Sequence, residues 1–499
     1  MLNNLTDIIK QANNFLWGLP LMLLLVGFGL VSTIYLRFPQ FTKISYGFKE
    51  SFGKIFSKKD AKEGSMSSFQ ALATAVAAQV GTGNIGGVAG AIVSGGPGAI
   101  FWMWITAIFG MSTISVEAIL AQKYREVRDG QYIGGPAFYI SKGLKARGLE
   151  KIGKVLAGTF SVLIVLALGF IGNMVQSNSI STALEEAFNA PLLVTGIILA
   201  IFAAFIFIGG MKRIGNFAEL VVPIMALIYI IGSIVVLVKF KAHIPEVFAA
   251  IFEAAFSAKA VLGAGVGISV KTAIRYGVAR GLFSNEAGMG STPNSHAVAD
   301  VDHPVIQGSV AMVGVLIDTL LVCSATSLVI LATGAQNSGK EGVMITMDAF
   351  NKAFGDLGTK FLAIALCFFA FTTIIGWYYF GESNTKYLFN SKIAVRIYQV
   401  VVLSFIIMGS VQKIDFVWEL TDLFNGLMVI PNIIGLFILL KEAKIIYDDF
   451  EKQSKLGNKL SYNYEHKNWK YLNIKRCTLL CASSFLSINH KYLNSTLPY

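Results

Sequence analysis

Charge is what this chain is short of. Asp, Glu, Lys and Arg make up 14% of its 499 residues, where a soluble globular protein carries about 25%. A chain so poor in charge, and 54% hydrophobic, lacks the polar surface a soluble fold needs, and its long apolar runs recur from end to end. Composition therefore points to a polytopic membrane protein. Cysteine is scarce too. Cys323 and Cys367 fall in apolar runs, Cys477 and Cys481 in the tail, so neither a disulfide framework nor a thiolate metal site is expected. The five histidines show no metal-ligand spacing, which argues against a membrane enzyme built on a metal or a His/Asp/Glu cluster. No small-residue cleavage pattern follows the first apolar run, NFLWGLPLMLLLVGFGLVSTIYL, and no cleavable signal peptide is expected.

What the chain has is span-length apolar sequence. A crossing takes about 20 mostly apolar residues, and eleven stretches qualify, near 15–36, 68–93, 98–122, 155–187, 192–210, 215–238, 262–283, 305–333, 358–385, 394–411 and 417–440. The run at 155–187 exceeds one crossing and is expected to tilt or project. The net charge of +12 sits mostly between these runs, so a lipid bilayer rather than nucleic acid accounts for it. Residues 37–66 hold Arg37, Lys43, Lys49, Lys54, Lys58, Lys59 and Lys62; residues 123–154 hold Lys123, Arg125, Arg128, Lys142, Lys145, Arg147, Lys151 and Lys154. Loops on the alternate side are short or weakly basic. The positive-inside rule then puts the N-terminus outside and the C-terminus in the cytoplasm, and an odd number of spans agrees. Residues 441–499 read as a basic cytoplasmic tail.

Glycine is plentiful, at 49 residues, and one cluster stands out: AAQVGTGNIGGVAG, residues 77–90, inside the second span. An unpartnered backbone group in hydrocarbon costs several kcal/mol, so a helix opens there only where protein, water or ligand satisfies it. Gly81 and Gly83 let the chain leave helical geometry. Carbonyls freed before the break can hold a cation, and amides freed after it a carboxylate. Thr82 and Asn84 add side-chain oxygens at the same depth. This is the pattern of a substrate and ion site at a discontinuous transmembrane helix. The alternative is close helix packing through small residues. A phosphate loop fits less well, since no lysine follows and no strand precedes.

An inverted repeat requires a second irregular span. VLGAGVGISVKTAIRYGVARG, residues 261–281, is the candidate, with Gly263, Gly265 and Gly267 clustered. The expected architecture is all-α: five helices over 68–238, five over 262–440, each unit opening on a glycine-interrupted span, with 1–67 an extra helix and basic loop. Elsewhere, Gln176 lies near Asn173 and Asn178 and could bind substrate or bond between helices. Thr372 and Thr373 could ligate Na⁺ or bond back to their own helix. Trp377, one turn beyond Thr373, could wall a pocket or simply pack. Asp318 and Glu117 are costly unless paired and could carry a proton. Arg275, Arg280 and Glu286 could form a gate network or act as separate anchors.

The segments QVGTGNIGGVAGAIVSGGPGAIFWMWITAIFGMSTISVEAILAQKYR (79–125), GGPAFYI (134–140), AIRYGVARGLFSNEAGMGS (273–291) and TTIIGWYYFGE (372–382) resemble the alanine or glycine:cation symporter family. The resemblance covers roughly residues 10–445, and the break also resembles the first core helix of the neurotransmitter:sodium symporters. It implies a five-plus-five inverted-repeat symporter with one extra helix, in a prokaryotic plasma membrane. It implies sodium around the carbonyls of Ala77 and Val80 with Thr372 and Thr373. It implies substrate at Thr82 and Gly83, with Asn84 beside them, and pocket roles for Gln176, Gly267 and Trp377. The implied function is Na⁺-coupled uptake of alanine, glycine or a similar small amino acid. No cofactor beyond the coupling ion is implied, and no obligate protein partner. Proton coupling on the same fold, and an ion channel, are the alternatives; two nonequivalent broken spans in one chain favour alternating access over a channel.

Overall fold

A computed structural model describes residues 2–53, 62–256, 270–412 and 414–464. Among the described residues the chain is helical apart from the antiparallel hairpin Glu126–Arg128 with Gln131–Ile133 and one isolated bridge. Among the described residues, eight helices are long and apolar enough to cross a membrane, and the bent pair Ser68–Gln79 with Gly83–Gly95, counted as one span, makes a ninth. Leu192–Phe207 is apolar but has 16 residues; at 1.5 Å per residue it rises about 24 Å, short of the ~30 Å hydrocarbon core. Of the eleven expected stretches, 262–283 is followed only in part. Residues 262–269 lie outside the described residues, and the helix is seen over Val270–Asn285.

The outer helices carry their apolar side chains outward. Ile201 is 62% exposed, Phe205 67%, Leu227 61% and Val238 62%, which is a lipid-facing pattern. The broken helix is enclosed instead, with residues 71–89 all buried. Its start is set locally: Ser67 Oγ accepts from the Gln70 amide and Gln70 Oε1 from the Ser67 amide, a capping box. Beside it runs the 34-residue helix Asp356–Phe389, buried on every side from Thr372 to Thr385. The two backbones meet at Gly376, where a Cβ would stand 2.8 Å from Ala78 Cβ and 3.0 Å from Ala78 Cα.

The overlong run at 155–187 belongs to a 39-residue helical span, Glu150–Phe188, which includes a π segment at Val165–Gly172. Two further π segments, Gly83–Gly87 and Leu316–Cys323, lie in the broken helix and in the Pro304–Thr333 span. Segments of this kind are frequent at functional sites, and all three abut the same region.

The expected tail, residues 441–499, opens as helix. Helix Ile414–Lys455 runs on through residue 441, burying Ala443, Ile446, Tyr447 and Phe450. Its end draws in the basic loops: Lys123 and Tyr124 donate to Glu442, Lys43 pairs with Glu451, and Arg37 lies 3.7 Å from Asp448. Residues 37–53, 123–147 and 441–455 therefore share one face of the protein. The first charges of the expected tail form the contacts of a projecting helix.

Candidate functional site

The helix Ser68–Gln79 ends at Val80, whose backbone is extended (φ −85°, ψ 92°). The chain turns through Gly81 and Thr82, and the second half sets off at 50° to the first. Of the groups freed there, four have partners from elsewhere in the chain or from the break itself. The Gly81 amide donates to Asn84 Oδ1 at 2.8 Å, and the Thr82 amide to Gln176 Oε1 at 3.1 Å. On the other side, Thr373 Oγ1 lies 3.0 Å from the Ala77 carbonyl oxygen and 3.3 Å from that of Val80. Thr82 Oγ1 is buried with no hydrogen-bond partner.

The carbonyl oxygens of Ala77 and Val80 and the hydroxyl of Thr373 are neutral hard donors converging on one spot, a set suited to an alkali cation. No cluster of three or more His, Cys, Asp or Glu able to hold a metal occurs among the described residues. The Gln176 carbonyl oxygen rests on the Thr82 amide as a carboxylate oxygen would. Gly81 separates the two sets: a Cβ there would fall against Thr373 Oγ1 and 3.0 Å from Gln176 Oε1. A Cβ on Gly83 would stand 3.1 Å from Phe283 Cδ1 and 3.4 Å from Ser284 Cα. The aromatic wall is tightly held. Trp377 Nε1 donates to Glu286 Oε1 at 2.5 Å, and the Trp377 ring meets Phe283 edge-on at 6.1 Å between centroids. A cavity of about 560 Å³ lies further along the long helix, lined by Tyr379, Glu382, Ser383 and Lys386 with Arg128 and Met211.

The expected residues do not all meet. Ala77, Val80, Thr82, Gly83, Gln176 and Thr373 gather at the break, and Trp377 stands a turn beyond. Thr372 does not join them. Its hydroxyl donates to Phe369 O at 2.8 Å and lies 3.6 Å from Met225 Sδ, because consecutive residues on a helix point about 100° apart. Thr373 Oγ1 also bonds back to Phe369 O, at 3.0 Å, so back-bonding does not separate the two threonines; what does is that Thr373 alone also faces the Ala77 and Val80 carbonyls. Asn84 turns from the substrate side: its Nδ2 donates to Asp318 Oδ1 at 2.6 Å, so it braces the break. Gly267 lies outside the described residues. Arg275, Arg280 and Glu286 go to three separate partners, Asn14, Asp422 and Trp377, and form no common gate. Asp318 also accepts from Ser284 at 2.9 Å and Thr319 at 2.6 Å. Glu117 accepts from the Gly288 amide at 3.1 Å and Asn432 at 2.6 Å. Both buried acids are thus partnered, as their depth demands. Phe283 was not anticipated, since nothing in its local sequence points toward residue 83.

The sequence profile of the sodium:alanine symporter family matches residues 2–464. The chain belongs to the sodium:alanine symporter family. It is a multi-pass membrane transporter, not an enzyme, and its coupling ion is sodium. Among its relatives is the sodium/alanine symporter AgcS of Methanococcus maripaludis, 42% identical over 438 residues, covering 87% of this chain and 94% of that one. The amino-acid carrier protein AlsT of Bacillus subtilis is 41% identical over 452 residues, covering 90% and 93%. Among solved structures, MhsT in complex with L-phenylalanine matches with a TM-score of 0.55 at 15% identity, over 78% of this chain and 99% of that one. At that identity the likeness establishes the fold, the inverted-repeat amino-acid/sodium symporter fold expected from the sequence.

Proposed function

We propose that this sodium:alanine symporter carries alanine, or a neutral amino acid of similar size such as glycine, inward with Na⁺ at the Gly81–Thr82 break. The observation that carries the reading is the pairing across Gly81: the oxygens of Ala77, Val80 and Thr373 on one side, the Thr82 amide under Gln176 on the other. In this reading Na⁺ displaces the Thr373 hydrogen bonds and takes the three oxygens. The substrate carboxylate displaces Gln176 Oε1 from the Thr82 amide, and the buried Thr82 hydroxyl, without a partner now, gains one. Gly83 keeps the backbone accessible, and Trp377 with Phe283 limits the side chain. Asn84 holds the break in shape through Asp318.

Coupling follows from adjacency. Both ligands act on the same few residues, so each changes the other's affinity by the same factor. An inward Na⁺ gains about 2.3 kcal/mol per 100 mV, plus its concentration term. The repeats are taken as 68–238 and 262–440, with the first helix and its basic loop peripheral. The basic face gathered around 37–53, 123–147 and 441–455 is taken as cytoplasmic, with the N-terminus outside. Equilibrium binding tests the site reading. Labelled alanine should bind purified protein tightly in NaCl and weakly in KCl at equal ionic strength; equal affinity in the two salts overturns it.

A further inference from the structure

Three buried carboxylates converge on one stretch of chain, Ser284–Ser291, which follows helix Val270–Asn285. Asp318 accepts from Ser284 Oγ at 2.9 Å, Glu117 from the Gly288 amide at 3.1 Å, and Glu286 from Ser291 Oγ at 2.5 Å. Each acid also reaches a second element. Asp318 holds Asn84, Glu117 holds Asn432, and Glu286 holds Trp377. The stretch is a hub, and its reach to the aromatic wall is through Glu286.

The geometry at Glu286 is specific. The residue is fully buried and its backbone is left-handed, φ +58°, a conformation uncommon for a residue with a side chain. Its two oxygens are divided, Oε1 to Trp377 Nε1 and Oε2 to Ser291 Oγ, each at 2.5 Å. The indole has little other freedom. A Cβ on Gly172 would lie 2.6 Å from Trp377 Cζ3, so the ring leans on a bare glycine backbone, and Phe283 closes its edge. Packing confines the ring plane, and the hydrogen bond to Glu286 sets where along it the indole nitrogen sits. A carboxylate acceptor is among the stronger anchors for an N–H donor.

We infer that Glu286 is a positioning residue for substrate specificity: by anchoring the Trp377 indole to the hub, it sets the side-chain size the pocket admits. This rests on the reading of Trp377 as a pocket wall. Glu286→Leu removes the acceptor and frees the ring. Glu286→Gln keeps an oxygen for Trp377 and presents an amide to Ser291, whose hydroxyl can accept. Trp377→Phe removes the donor from the other side.

The test is competition against labelled alanine uptake by glycine, serine, valine and leucine, at matched expression of the full chain. Glu286→Leu should raise the potency of leucine relative to glycine by about tenfold, the low end of what one methylene of fit is worth. Glu286→Gln should keep the wild-type rank order. In a Trp377→Phe background, Glu286→Leu should change the rank order no further, since the bond is already gone. If Trp377→Ala and Trp377→Phe both leave the rank order unchanged, the pocket reading itself fails. If they shift it but Glu286→Leu lowers uptake of all substrates alike, Glu286 is structural and the inference is overturned. Should Glu286→Leu fail to reach the membrane, the comparison of Glu286→Gln with wild type, with and without Trp377→Phe, decides: any rank-order change by Gln that persists in the Phe background contradicts the link.

Discussion

Thr373 Oγ1 stands 3.0 Å from the carbonyl oxygen of Ala77, across 296 positions of sequence. The contact joins the broken helix to the long helix Asp356–Phe389. It is also where the adjacent threonines part company. Thr373→Ala removes an oxygen from the proposed cation set. Bonds to charged groups are worth about 1.5–3 kcal/mol, so the Na⁺ concentration for half-maximal alanine uptake should rise about tenfold or more. Thr373→Ser keeps the hydroxyl and should shift it little. Thr372→Ala, whose hydroxyl serves Phe369 and Met225, should leave that concentration within about twofold. A larger effect at Thr372 than at Thr373 would reverse the assignment.

Gly81 is the residue between the two proposed ligand sets. An alanine there puts its methyl against Thr373 Oγ1 and 3.0 Å from Gln176 Oε1. Gly81→Ala should therefore abolish both Na⁺-dependent alanine binding and uptake while the protein still inserts. Gly90→Ala is the control in the second half of the broken helix, with nothing within 4 Å of the added carbon; helix propensity makes it neutral or slightly stabilising, by about 0.5–1 kcal/mol. Binding to the purified variants distinguishes the two, and intact binding in Gly81→Ala would remove the break from the site.

Gly83→Ala isolates the substrate side. The three atoms nearest its added carbon, Phe283 Cδ1 at 3.1 Å, Phe283 Cε1 at 3.3 Å and Ser284 Cα at 3.4 Å, include none of the oxygens proposed for Na⁺, so alanine binding should be lost while Na⁺ still binds. Sodium protection of the protein against thermal unfolding, retained without alanine protection, is the expected signature. Loss of both, or of neither, counts against the division of labour.

The break itself could be read from the residues, because glycines and polar side chains inside an apolar run leave few structural outcomes in hydrocarbon. The partners could not. Which of two adjacent threonines faces the carbonyls depends on the rotation of helix Asp356–Phe389, and that is set by the contact of Gly376 with Ala78. Asn84 looked like a ligand because its partner, Asp318, lies 234 positions away. Glu286 looked like one of several anchors, since its left-handed backbone and its bond to Trp377 arise only in the folded hub. The last helix overran its expected end because Glu442, Asp448 and Glu451 find cations from two other loops. Burial of the intervening Ile446 and Phe450 follows no span-length rule.

Orientation has its own test. With the basic face inside, single cysteines placed in 37–53 or 123–147, in a background lacking Cys323, Cys367, Cys477 and Cys481, should resist an impermeant thiol reagent in intact cells. Cysteines in 189–191 should react. Labelling of residues 37–53 in intact cells would invert the topology.

Sodium-driven alanine uptake into proteoliposomes bears most directly on the function. With an inward Na⁺ gradient and a potential negative inside, labelled alanine should accumulate above its external concentration. The accumulation should collapse when Na⁺ is equal on both sides with no potential, and should not appear when K⁺ replaces Na⁺. Uptake that never exceeds equilibration, or that runs equally well in K⁺, would contradict sodium-coupled alanine symport.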